Sequence, residues 1–373
     1  MAHPLVDRIA LCDREADRIS AIAGREKWRS YGKFNPRDGY SDLTSICASD
    51  LDALVIITQP WLHAPQCIQA MESGKHVYSA VPVIMVPSGD EILEWCDRLV
   101  ATCLRTGMKY MLGETSYYRP QTMYCRRRAA KGEFGDFVYA EGEYFHDVDS
   151  PSANLRDVTR LREASKAGRE WVALKKTYLA RGLKSGPMFY PTHSTSGPIS
   201  VMRAHAERVC AWGFKNRTRD AYFSDSAFSN ETALFQMSNG STMRICESRE
   251  IGHDNREAFR VYGTKGSFEH DQWVTTGGRE PLSTEDMRES LPPEVEKAYR
   301  SVSKKSNYYG GHGGSHAFLA HEFVEAVASD LMPAINAWEA VRYMAAGVVA
   351  HHSALRDGEV LNVPDWGDAP GGE

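Results

Sequence analysis

Residues 52–58 read Asp-Ala-Leu-Val-Ile-Ile-Thr. Five apolar residues in succession, without alternation, are what a strand needs when both of its faces are covered, as in a parallel sheet sandwiched by helices. The neighbouring sequence agrees. Arg8–Cys12 reads as a second buried strand ending at Asp13, and Arg14–Ala23 follows as a helix. Gln59-Pro60 breaks the 52–58 run, and Leu62–Ser73 reads as a helix that Gly74 stops. His76–Ser79 is a short strand, Asp90–Thr106 a long helix ended by Gly107, and Lys109–Leu112 another strand. Such alternation of short apolar runs with amphipathic helices over the first 118 residues signals an α/β parallel sheet.

From about Tyr118 the texture changes. Arg119–Lys131 reads as a basic helix closed by Gly132. Period-two segments follow at Phe137–Phe145, Ala233–Met237, Thr242–Glu247 and Ala258–Tyr262, the pattern of a mostly antiparallel sheet with one wet face. Asn239-Gly240 is a hairpin signal between two of these runs, and Thr264-Lys265-Gly266 marks another turn. The stretch 281–307 is polar and reads as a loop, while His316–Ala328 and Trp338–Leu355 read as closing helices. Two domains are therefore expected: an incomplete Rossmann-like domain over 1–118 and an α+β domain with a large, mostly antiparallel sheet over 119–373.

Composition narrows the partners. The net charge is −5 over 373 residues, and no basic run with interleaved aromatics suggests nucleic acid. No segment reaches the ~18–20 apolar residues a membrane span requires. The eight cysteines contain no Cys-x-x-Cys pair, and the start lacks the apolar core of a signal peptide. The expectation is a cytoplasmic protein without bound zinc or disulfides.

A dinucleotide-binding domain begins with a strand, a Gly-x-Gly-x-x-Gly turn and a helix that receives the pyrophosphate. Here the first strand ends in Asp13, a feature expected of the second strand, and no such glycine turn precedes it. The chain thus reads as starting one βα unit late, whether by a displaced start or by natural loss of the unit. Removing the central strand of a 3-2-1-4-5-6 sheet leaves strands two and four with unpaired edges, and NAD binding by residues 1–373 is expected to be weak.

The run from Asp52 through Thr58-Gln59-Pro60-Trp61-Leu62-His63-Ala64, continued by Ser73-Gly74-Lys75-His76-Val77-Tyr78, resembles the signature of the Gfo/Idh/MocA family of nicotinamide-dependent sugar oxidoreductases. Members of that family usually continue Glu-Lys-Pro, whereas this chain reads Ala80-Val81-Pro82. Val-Pro at this position is similar to the family's NAD-dependent glycosidases of the α-N-acetylgalactosaminidase type. Four further runs resemble the same branch: Met111–Tyr118, Glu141–Asp147, Tyr190-Pro191-Thr192-His193 with Gly197-Pro198, and Gly311–Gly314.

The resemblance implies catalytic roles for Tyr144 and His193. It places Asp13, Thr58, Gln59, Pro60, His63, Pro82 and Glu114 beside the cofactor, and Tyr118, His146, Tyr190 and His312 beside a sugar. Each has a plainer alternative. Asp13 favours NAD through the ribose diol or caps a helix, with Arg14 leaving NADP open. His63 caps or packs, and Glu114 is a cofactor or substrate contact or a solvated loop carboxylate. Tyr144 alternates in phase with Gly142 and His146 and is otherwise a core aromatic. His193 sits in a segment that Pro191 and Gly197-Pro198 should make rigid and irregular, and is otherwise structural. The aspartate that the family places three or four residues later is replaced by Ser196 and Gly197. His312, His316, His321 and Glu322 match no zinc spacing, and no metal is expected.

The implied chemistry is redox-neutral cleavage. NAD oxidises a ring carbon to a ketone, a base removes the acidified neighbouring proton, the glycosidic oxygen leaves, water adds, and the hydride returns. The alternatives are a simple NAD(P)-dependent sugar or polyol dehydrogenase and a non-catalytic paralogue that binds a sugar or a partner subunit. A homo-oligomer through the open face of the large sheet is expected in each case.

Overall fold

The computed structural model describes residues 1–151, 154–302 and 309–371. The first region holds two parallel sheets. Strands β1 (Ile9–Cys12) and β2 (Phe34–Tyr40) pair with each other. Strands β3 (Ala53–Ile56), β4 (His76–Ser79) and β5 (Tyr110–Leu112) pair in that order. Among the described residues no ladder joins β1 to β3.

Helices α1 (Ala16–Ala23), α2 (His63–Glu72) and α3 (Gly89–Thr106) connect these strands. The ends of α3 follow from its sequence. The Ser88 side chain accepts the Glu91 N–H, Asp90 and Glu91 lie in the first turn, and Gly107 closes the helix at φ 70°. Ile92, Cys96, Leu99 and Cys103 recur every three or four residues and are buried.

The parallel-sheet expectation holds with one correction. The 52–58 run is covered on one face only. Leu54 and Ile56 are buried, but Val55 and Ile57 are 60% and 73% exposed. The reason is that β3 has a ladder on its β4 side alone, and α1, the helix nearest in sequence to β1, buries none of its residues. The same lack of cover leaves β1 half-exposed rather than buried.

The second region is built on nine strands: β6 (Phe137–His146), β7 (Ala206–Phe214), β8 (Asn230–Met237), β9 (Thr242–Ser248), β10 (Asn255–Gly263), β11 (Ser267–Glu269), β12 (Gln272–Thr275), β13 (Gly278–Pro281) and β14 (Leu361–Asn362). Their order is β13-β12-β11-β10-β6-β9-β8-β7-β14, antiparallel throughout except for the β6–β9 pair. Asn239-Gly240 turns β8 into β9 with Gly240 at φ 82°, and Thr264–Gly266 joins β10 to β11. Both turns are as the sequence indicates.

Helices α4 (Pro120–Ala130), α5 (Leu155–Ala164), α6 (Lys166–Ala180), α7 (Thr192–Met202), α8 (Pro293–Val302), α9 (Ser315–Ala328) and α10 (Ala337–Leu355) complete this region. The polar stretch 281–307 is not a plain loop: a capping box at Ser283 and Asp286 starts a short helix, and α8 follows. Met287, Leu291 and Val295, spaced by four, are buried and anchor both pieces. Residues 303–307 lie outside the described residues.

The hairpin α5–α6 was not evident in the sequence. It reaches back to the first region, where Arg14 forms two hydrogen bonds to Glu170, the Lys166 N–H donates to Glu15, and Trp171 stacks on Trp61 at 4.8 Å and 10°. No described helix is long and apolar enough to cross a membrane, and all eight cysteines are unpaired.

Candidate active site

One close approach organises the site. Strand β6 and helix α7 come so near at Gly142 that a Cβ there would lie 1.9 Å from the Ser194 carbonyl oxygen. Only glycine admits this contact. The segment carrying His193, expected to be irregular, is helical with Pro198 inside it. Pro198 has no N–H for the Ser194 carbonyl, and that carbonyl lies against Gly142. The result is that His193 on α7 meets Tyr144 on β6, ring centroids 4.9 Å apart.

Glu114 follows β5 and is fully buried. Its Oε1 accepts the Ser116 N–H and faces His193 Nδ1, both at 2.8 Å, while Oε2 has no hydrogen-bond partner. This glutamate fills the orienting role for which the sequence offered no aspartate at Ser196 or Gly197. Burial alone would lower the His193 pKa, but the charges of Glu114 and Glu257 outweigh it and raise the value to about 9. Burial likewise works to raise the Glu114 pKa, and His193 with the surrounding hydrogen bonds brings it below the usual value. At neutral pH the pair is an imidazolium on a carboxylate.

The Tyr144 hydroxyl lies 2.6 Å from His146 Nδ1. Tyr190 stacks beside Tyr144 at 6.5 Å and lies tilted at 5.5 Å from His193. Burial drives the Tyr144 phenol well above its ordinary range, and the Arg249 cation works against that rise. Arg249 lies 4.8 Å over the Tyr144 ring and pairs with Glu247 at 2.9 Å. Burial lifts Glu247 to about 7, with Arg249 and Ser194 opposing. Glu257 is held by Ser116 Oγ and Arg119.

The carboxylates of Glu114 and Glu257 and the His193 ring offer ligand atoms within 4.8 Å of one another. That spacing would suit a divalent ion, but Arg119 and the His193 imidazolium already supply positive charge to both carboxylates.

The structure therefore brings Glu114, Tyr144, His146, Tyr190 and His193 into one corner. His312 borders it: burial, then His316 and His193, lower its pKa, and its Nδ1 lies 3.0 Å from His316 Nε2. Other candidates are placed elsewhere or differently. Tyr118 is buried and stacked on Phe318. His63 is buried with its ring between the carbonyls of Pro82, at 2.8 Å, and Thr58, so it braces the two loops. Pro60 is buried, whereas Thr58 is exposed and donates to Gln66, and Gln59 is half-buried. Asp13 accepts the Glu15 N–H, and α1 starts at Ala16, later than Arg14.

Ser194, Glu247, Arg249, Glu257 and Arg119 were not anticipated. A signal existed for two of them. Glu247 is in phase with the apolar Met243 and Ile245, and Glu257 with Phe259 and Val261. A carboxylate on the inward face of an alternating strand demands a partner.

The chain is similar to known proteins in both sequence and fold. The profile of the glycosyl hydrolase 109 C-terminal domain matches residues 118–369. A glycosyl hydrolase family 109 protein of Stenotrophomonas maltophilia is 24% identical over 97% of this chain and 84% of its own length. One from Parabacteroides distasonis is 22% identical over 96% and 81%. Among solved structures, an oxidoreductase domain protein from Kribbella flavida superposes with a TM-score of 0.70 at 16% identity, covering 95% of this chain and 90% of that one. Levoglucosan dehydrogenase in complex with NADH and L-sorbose gives 0.69 at 17% identity, covering 96% and 90%. The chain belongs to glycosyl hydrolase family 109, the NAD-dependent glycosidase branch of the Gfo/Idh/MocA oxidoreductases, and is a sugar-acting enzyme by family.

Proposed function

We propose that this protein cleaves a glycoside by the redox-neutral route, with His193 as general acid and Tyr144 as general base. The observation that carries the reading is the His193–Glu114 pair set against the Tyr144 phenol. The imidazolium, charged up to a pH of about 9, has a proton to give to a departing glycosidic oxygen. Glu114 holds Nδ1, so Nε2 is the nitrogen that gives it. Tyr144 removes the proton from the carbon next to the oxidised one. A two-carboxylate mechanism is less well supported, because Glu114 and Glu257 are each tied to a cation.

The NADH bound by the similar levoglucosan dehydrogenase supports NAD as the cofactor of this reading, and residues at the site suit its nicotinamide end. The unpartnered Glu114 Oε2 is a buried acceptor beside the reacting groups, with Tyr190 next to it and Pro82 held by His63. Thr58 and Gln59 at the end of β3, and Asp13 at the end of β1, are the contacts assigned to the rest of the dinucleotide. Bound NAD would accept and return a hydride at one ring carbon, and the transient ketone acidifies the neighbouring C–H. The division into a nucleotide domain over 1–118 and a substrate domain over 119–373 belongs to this reading. So does association of copies through the open face of the large sheet, where Trp212, Phe214 and Leu234 are exposed. Sedimentation at micromolar concentration tests that last point, and a lone monomer would refute it.

The test of the mechanism is turnover of a panel of nitrophenyl glycosides in D₂O with NAD supplied in large excess, because its binding to residues 1–373 is expected to be weak. The expected result is cleavage without net NADH and with deuterium at C2. Tyr144→Phe should lower turnover ~10²-fold or more, as loss of a general base does. Cleavage that leaves C2 protiated would overturn the reading, and net NADH from a free sugar would favour the dehydrogenase.

A further inference from the structure

A phenol whose pKa burial has raised is a poor base unless its own proton has somewhere to go. The Tyr144 hydroxyl lies 2.6 Å from His146 Nδ1, and His146 is half-buried, two residues along the same face of β6. Beneath the ring lies a buried ion pair. Arg249 Nη2 donates to Glu247 Oε2 at 2.9 Å, and Arg249 Nη1 reaches the carbonyls of Ser248 at 3.1 Å and Tyr144 at 3.4 Å. The guanidinium thus grips both the backbone and the ring face of Tyr144. Glu247 in turn accepts from Ser194 Oγ, the residue next to His193. One buried carboxylate, on β9, therefore ties the guanidinium just beyond that strand to the helix carrying the acid. Burying such a pair is costly and adds little stability over an apolar substitute, so its placement calls for another explanation.

We infer that His146 takes the Tyr144 proton during catalysis, and that Arg249, anchored by Glu247, is the positioning residue that seats the Tyr144 phenol on it. The inference rests on the glycosidase reading for its chemistry. As the substrate C–H bond breaks, its proton bonds to the Tyr144 oxygen, and the Tyr144 hydroxyl proton moves to His146 Nδ1. The electron pair of the broken bond stays on the substrate as an enolate. Tyr144 ends neutral, and His146 carries the added charge. Besides Arg249 and His146, the groups around the Tyr144 ring are His193 and Tyr190, with the charges of Glu247 and Glu257 nearby.

The experiment begins without cofactor, on protein labelled with ¹⁵N-histidine. His146→Gln assigns the His146 signals. Tyr144→Phe removes the hydroxyl 2.6 Å from His146 Nδ1 and should shift the Nδ1 resonance. Arg249→Met should do the same, and Arg249→Lys, which keeps the charge without the fork, should restore part of it. Should Arg249→Met fail to fold because Glu247 is left unpaired, the double variant Glu247→Gln/Arg249→Met removes the orphan charge and carries the same expectation. With NAD and glycoside in D₂O, that double variant should lose about 10-fold or more of C2 exchange at unchanged KM, the pattern of an interaction used only in the transition state. An Nδ1 resonance unmoved by Tyr144→Phe, or unmoved in a folded Arg249 variant, overturns the inference. If instead the wild type shows no C2 exchange while the resonance answers every substitution, the glycosidase reading falls and the positioning pair stands.

Discussion

The two sheets of the first region and the nine-stranded sheet of the second answer the same burial problem differently. In the second region the sheet is covered by α7 and α10, and α10 buries most of its residues, from Ala337 to Ala354. Contact is close enough there that Gly142 and Gly347 have no room for a side chain. In the first region α1 buries nothing, and β3 leaves Val55 and Ile57 open. The residues proposed to move protons, Tyr144, His146 and His193, stand on the tightly packed side, and Glu114 lies at a strand end facing it. Proton transfer needs donor and acceptor fixed to within a few tenths of an ångström, and dense packing fixes them. On the proposed reading, the difference teaches that the chemistry would draw on the second region's close packing, while the first would offer surface to a ligand.

The largest effect expected from this contrast is at His193. His193→Ala leaves the Glu114 carboxylate buried without its cation, which should cost about 3–5 kcal/mol. Denaturant melts check it, and a cost below about 1 kcal/mol would mean the pair is not buried as described. Next comes the glycine pair. Gly142→Ala must push α7 off β6 and should cost about 3 kcal/mol or more. Gly39→Ala in β2 meets only Pro36 O at 3.3 Å and an Ile19 methyl at 3.7 Å, and should change stability by less than about 1 kcal/mol. Equal costs at the two positions would erase the contrast.

A pH series sharpens it further. The folded His193 pKa of about 9 stands above the ordinary histidine value of 6.5. Its stabilisation is therefore complete below pH 6.5 and is lost as pH rises through about 9, on the order of 3 kcal/mol in all. Glu247, raised from 4.5 to about 7, acts in the same direction at lower pH. Denaturant midpoints should fall between pH 6 and 9.5 in the wild type, and fall less in His193→Gln. The smallest effect is on the open strand, where Val55→Thr and Ile57→Thr should each stay within about 0.5 kcal/mol. A loss above 1 kcal/mol at either position would show that something covers that face.

Much of this was legible in the residues. The strand at 76–79, the helix ending at Gly107 and the Asn239-Gly240 hairpin carry local signals strong enough to stand without tertiary context. The alternation that places Tyr144 on the opposite face from Glu141 and Glu143 is also local, and the structure agrees: Glu141 and Glu143 pair with Arg244 and Arg260 on the far side. What stayed hidden depends on contacts between distant segments. Helix α7 was obscured by Gly197-Pro198, because a proline inside a helix is tolerated only where its neighbour's carbonyl has somewhere to lie. The choice of Glu114 as the partner of His193, 79 positions away, follows from the docking of α7 against the helical turn Thr115–Tyr118, which Glu114 caps. Cover on the 52–58 strand was misjudged because apolar sequence reports what a face would favour, not what reaches it.

The clasp between α6 and the first region has an optical consequence. Trp61 and Trp171 lie nearly parallel at 4.8 Å, close enough for their indole transitions to couple. The pair should therefore give a far-ultraviolet circular-dichroism couplet, whose amplitude would report whether the hairpin is seated on the strand end or lifted from it.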